Sequence, residues 1–136
     1  MSGVLERIRV ENDNTLSFGN YEVSEKVKVN NFSHDGNLYD LRSHNKLTRL
    51  QKNGSLLIET VPGARVHNLL IAEKKVEFGV EGFDDTQITL ELEPGKQYKI
   101  LIDSTNVGNT SANISGKVSF SAPLNKDIKS IKLEKV

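Results

Sequence analysis

The chain contains no cysteine and no tryptophan, only three prolines and four alanines, and no excess of either charge. Its 18 Lys and Arg balance 18 Asp and Glu over 136 residues. Without cysteine there are no disulfide staples, no thiolate zinc site and no cysteine nucleophile. Charge balance removes the Lys/Arg excess that gathers phosphates, so neither DNA nor RNA is expected as a partner. Long apolar runs are also missing. The longest is Leu69-Leu70-Ile71-Ala72, against roughly 20 residues for a helix that crosses a bilayer, so no membrane partner is expected. The first ten residues carry Glu6, Arg7 and Arg9 where a secretion signal has an apolar stretch of about 7 to 15 residues, and the expected address is cytoplasmic. Hydrophobic residues make up 36% of the chain. That is enough for one core but not for a second module, so residues 1–136 are expected to form a single domain.

Four alanines stand against 12 Val, 9 Ile and 13 Asn, a balance that disfavours helix and suits strands joined by turns. Alternation carries the same message. Val76, Phe78 and Val80 share one face of a strand, as do Ile88, Leu90 and Leu92, then Tyr98, Ile100 and Ile102, and no 3.6-residue stripe competes. Strands are expected near Val4–Val10, Leu16–Val23, Lys26–Phe32, Asn37–Arg42, Leu47–Gln51, Leu56–Val61, Val66–Ala72, Val76–Val80, Thr86–Leu92 and Gln97–Asp103, with two more around Val118–Phe120 and Ile131–Leu133. So many short strands predict an all-β fold with little or no helix. The expected form is an antiparallel β-sandwich of about ten to twelve strands, with jelly-roll or related Greek-key topology.

Turn residues set registers that can be checked. Asn53-Gly54 and Asp35-Gly36 suit two-residue type I′ hairpins. The first places Lys52 opposite Ser55 and Leu50 opposite Leu57. The second places Phe32 opposite Tyr39, which leaves Val27 and Val29 on the wrong face unless a bulge at Asn30-Asn31 shifts the phase. An odd-length loop at Glu93-Pro94-Gly95-Lys96 would pair Leu92 with Tyr98, Leu90 with Ile100 and Ile88 with Ile102, provided the segment does not arch between sheets. Lys126, Lys129, Lys132 and Lys135 read as guards of an exposed strand edge.

Chemistry-bearing constellations are sparse. His34, His44 and His67 do not have diagnostic metal-ligand spacing, so no metal and no cofactor is expected. The Asx-rich stretches, Asp103 to Asn113 among them, read as turns that satisfy their own backbone before they read as calcium loops. Asp84 and Asp85 are adjacent and point to opposite faces, which is not the facing pair that glycoside hydrolysis needs, and no Gly-x-Ser-x-Gly is present. A sugar platform would need exposed rings, with Tyr21, Tyr39 and Phe83 as candidates. The best candidate binding patch joins Arg65 and His67 to Asp84 and Asp85, because these polar groups lie in turn-rich segments where folding alone does not require them.

Three stretches, Leu16-Ser-Phe-Gly-Asn-Tyr21, Leu50-Gln-Lys-Asn-Gly54 through Glu59-Thr-Val-Pro-Gly63, and Val80 through Glu93, resemble a family of short all-β proteins of anaerobic Gram-positive bacteria that often carry the label endosialidase. A sialidase propeller needs several blades of about 40 to 50 residues, more than this chain supplies, and only five arginines exist to meet a sugar carboxylate. Tyr98 through Phe120 also looks like the closing strands of sandwich modules appended to bacterial polysaccharide-processing and surface proteins. That likeness implies binding or scaffolding. The expectation is a non-enzymatic interaction or structural module with a protein partner or self-association, a carbohydrate-binding module being the alternative.

Overall fold

The computed structural model describes residues 7–136, which form thirteen strands and no helix. No helix is therefore long and apolar enough to cross a membrane among the described residues. One sheet has seven strands, in the order β1 (Ile8–Val10), β2 (Leu16–Phe18), β7 (Ala64–Ile71), β8 (Lys75–Gly82), β13 (Lys129–Lys135), β10 (Gln97–Ile102), β11 (Thr105–Ser111). The other has six, in the order β12 (Lys117–Pro123), β9 (Asp85–Glu91), β6 (Ser55–Val61), β5 (Thr48–Lys52), β4 (Asn37–Ser43), β3 (Val27–His34). All strand pairs are antiparallel, and the two sheets pack face to face as a sandwich. Residues 4–6 of the expected first strand lie outside the described residues. The expected Leu16–Val23 strand ends at Phe18, where the chain leaves its sheet.

The alternating residues face inward as the pattern requires. Leu41, Leu50, Ile58, Ile88, Leu90 and Val118 of one sheet meet Val66, Val76, Val80, Ile131 and Leu133 of the other, none more than 2% exposed. Each such side chain contributes on the order of 1.5–3 kcal/mol through burial. A buried polar knot joins the sheets beside this core. The Thr48 hydroxyl donates to the Ala64 carbonyl at 2.9 Å and accepts from the Ala64 N–H at 3.1 Å and the Ser43 hydroxyl at 2.8 Å. Ser43 in turn accepts the Asn20 N–H at 2.8 Å. Thr48 and Ser43 belong to the six-stranded sheet and Ala64 to the seven-stranded one, so a single hydroxyl satisfies backbone groups of its opposite layer.

The turn chemistry sets two registers and misses two. Asp35-Gly36 and Asn53-Gly54 both adopt positive φ, and Phe32 pairs with Tyr39. The bulge falls between Val29 and Phe32, with Asn31 at φ 56° and its N–H donated to Asp40 Oδ1 at 2.9 Å, so Val29 and Phe32 both pack on the core. In the second hairpin Lys52 meets Ser55 as expected, but Leu50 pairs with Ile58 and not with Leu57. Leu57 is the extra residue of a bulge that keeps Ile58 in phase with Leu90 on its other side.

The Glu93–Lys96 segment arches between the sheets, so β9 and β10 do not pair. Leu90 faces Val118 and Ile58, while Ile100 faces Leu133 and Gly108. The arch is pinned by the Glu93 N–H donating to the Tyr98 hydroxyl at 3.1 Å and by Lys135 Nζ at 2.6 Å from Glu93 Oε1. That bond holds the Glu93 carboxyl below its ordinary range and raises Lys135. The lysine-guard expectation also fails. β13 lies between β8 and β10, Lys132 stands near Glu77 on the outer face, and Lys129 at the start of the strand lies near Asp103. The missing thirteenth strand is β11, which was expected to be Asx-rich turns.

Two substitutions test this account. Asn31→Val places a β-branched residue at positive φ and is expected to cost about 1–2 kcal/mol in urea unfolding, with Asn31→Gly much milder. Thr48→Val keeps shape but orphans the Ala64 backbone and the Ser43 hydroxyl, with an expected loss of about 2–4 kcal/mol. A loss below half a kilocalorie would show that the knot adds nothing.

Candidate functional site

The structure brings Arg65 and His67 together on the outer face of the seven-stranded sheet, around a carboxylate that sequence reasoning passed over. Period-two alternation on β7 points both side chains outward, and the pairing of Arg65 with Glu81 on β8 delivers the acid between them. Glu81 accepts from the Tyr21 hydroxyl at 2.7 Å and from His67 Nε2 at 2.9 Å, with Arg65 Nη1 at 4.0 Å. Arg65 also lies 3.6 Å from Glu22 and 5.8 Å from the centre of the Tyr21 ring. Phe83, 54% exposed, meets Tyr21 edge-on at 5.0 Å. Asp84 and Asp85 are exposed at the β8–β9 crossing. No contact joins their side chains to the cluster among the described residues.

Burial, then the Glu81 hydrogen bond and charge, push the Tyr21 phenol up to about 12. Through Glu81, which meets Tyr21, His67 and Arg65, the cluster acts as a clamp between the β2–β3 link and the sheet. Tyr21 and Tyr39 are 4% and 6% exposed, which leaves Phe83 as the one exposed ring of the three considered for sugar stacking.

Next to the clamp a groove of about 600 Å³ crosses the same face. Gly79 forms its floor, where a Cβ would sit 2.7 Å from Ile128 Cγ2 and 3.5 Å from His67 Cβ. The groove is walled by Leu70, Leu101 and Ile128 together with Glu77, Asp103 and Lys132. Its carboxylates are occupied: Asp13 by the Thr15 N–H and hydroxyl, Glu77 by Lys75 and Lys132, Asp103 by the Ser130 N–H and Lys129. No three His, Asp or Glu side chains converge into a metal-binding group among the described residues. The Asx side chains cap nearby backbone, as Asn106 Oδ1 does for Gly108 N–H and Asn113 Oδ1 for Ser115 and Lys117 N–H.

The most unusual surface is the outer border of the same sheet. Among the described residues no strand lies beyond β11. Its seven residues, TNVGNTS, carry no charge and no proline, and all but Thr110 are exposed. The Ala112 N–H donates to the Lys96 carbonyl at 2.9 Å, and Thr110 pairs with Tyr98. By alternation the main-chain groups of Thr110 turn inward to β10 while those of Asn109 and Ser111 turn outward. The preceding turn, Asp103-Ser104, has φ of 49° and 69°, the type I′ geometry that Asn-Gly normally supplies.

No family model, curated protein or solved structure matches this chain.

The clamp has a pH signature. Tyr21 releases its proton at a higher pH in the fold than in the unfolded chain, so its contribution is complete below about pH 10 and is lost as pH rises towards about 12. In Glu81→Gln the ring-resonance titration of Tyr21 is expected to move down but to stay above 10, since burial remains. An unchanged midpoint would break the assignment.

Proposed function

We propose that this chain is a non-enzymatic interaction module, with the cytoplasm as its compartment, that binds a partner strand along β11. The observation that carries this reading is the uncharged, outermost strand with the outward main-chain groups of Asn109 and Ser111. Strand addition of this kind takes its affinity from main-chain hydrogen bonds and its selectivity from alternate side chains. Natural sandwiches usually blunt such borders with lysine, proline or bulges. β11 has a bulge of its own, with Val107 as the extra residue and Gly108 at φ 132°, and beyond it Asn109 to Ser111 keep an unbroken register with β10. Both outer strands of the six-stranded sheet carry such devices: β12 has Lys117 and Pro123, and β3 has Lys28 and the Asn31 bulge.

Asn109→Pro removes one outward N–H at a position where an edge strand tolerates proline. Immobilised wild-type chain is expected to retain a protein, a second copy of the chain included, that Asn109→Pro of equal thermal stability does not. Equal retention by both chains, or retention of nothing by either, overturns the proposal.

A further inference from the structure

Resting on that reading, we infer that the partner strand is β11 of a second copy, paired antiparallel about a two-fold axis through Thr110. The edge is self-complementary about that residue. Asn109 and Ser111 are its two outward-turned residues in the regular stretch, and a dyad at Thr110 sets Asn109 against Ser111 of the other copy, twice. Both pairs fall in the hydrogen-bonding frame, which yields four main-chain bonds and joins two seven-stranded sheets into one continuous sheet.

Three further observations favour a second copy as the occupant. The strand carries no charge, so pairing with itself meets no like-charge repulsion. Thr110 would face its own copy across the axis, and threonine pairs are favourable cross-strand neighbours. Val107 within the strand is 55% exposed, and antiparallel self-pairing sets it beside the far end of the other copy's β11.

The register makes a specific charge test possible. Asn109 pairs with Lys99 within its own sheet, so a carboxylate at 109 is compatible with the fold. N109E/S111E then places like charges opposite each other in both inter-copy pairs, whereas N109E/S111K places opposite charges there. Sedimentation over a hundredfold concentration range is expected to show a monomer–dimer equilibrium for the wild-type chain. It should be at least tenfold weaker for N109E/S111E and recovered by N109E/S111K, all three having matched thermal unfolding. A wild-type monomer throughout overturns self-pairing and leaves strand addition to the capture experiment. A dimer unaffected by N109E/S111E overturns both, because association then uses another surface. Loss in N109E/S111E without recovery in N109E/S111K overturns the Thr110-centred register.

Discussion

Every layer of this structure depends on one constraint: each sheet must keep a single apolar face against the other while the chain repeatedly passes between the two. Alternation along a strand is unforgiving, since a slip of one residue turns every side chain over. The chain meets the constraint with bulges. One at Asn31 restores Val29 to the core, one at Leu57 keeps Ile58 facing Leu90, and others fall within the β7 pairings. The Thr48 knot adds a polar fastening between the layers, one hydroxyl meeting both backbone groups of Ala64.

The outer surface follows from the same constraint. Once Val66 and Val80 are committed inward, Arg65, His67 and Glu81 have to stand outside, and their contacts give a clamp where three isolated polar groups would otherwise face solvent. Gly79, opposite Ser130 and His67, leaves the gap that becomes the groove. In the clamp Glu81 is shared by Tyr21, His67 and Arg65, and in the groove Glu77 and Asp103 lie beside lysines. The border at β11 differs from both in presenting main-chain groups with no neighbouring strand among the described residues.

Much of the fold was legible because local rules and burial agree. Asp35-Gly36 sets the Phe32–Tyr39 register, and its conflict with Val27 and Val29 is enough to locate the bulge at Asn31. The strand β11 escaped because Thr-Asn-Val-Gly-Asn-Thr-Ser lacks an apolar face: a two-sided, exposed strand has no reason to alternate. Its turn hid as well, Asp103-Ser104 doing without glycine what Asn-Gly does elsewhere. Arg65 and His67 could be singled out as unneeded polar groups, but Glu81 looked like one more outward residue of an alternating strand.

The sequence by itself determined the class of structure, the inward residues of most strands and the hairpins with Asn-Gly or Asp-Gly turns. These depend on neighbours a few residues apart. The tertiary structure alone decided which strands share a sheet. Leu90 and Ile100 are equally apolar whether they pair across a hairpin or lie in opposite layers, so local pattern cannot separate a hairpin from an arch at Pro94. That decision put β13 inside the sheet and β11 on its border, which moved the lysines off the edge and left an uncharged strand there.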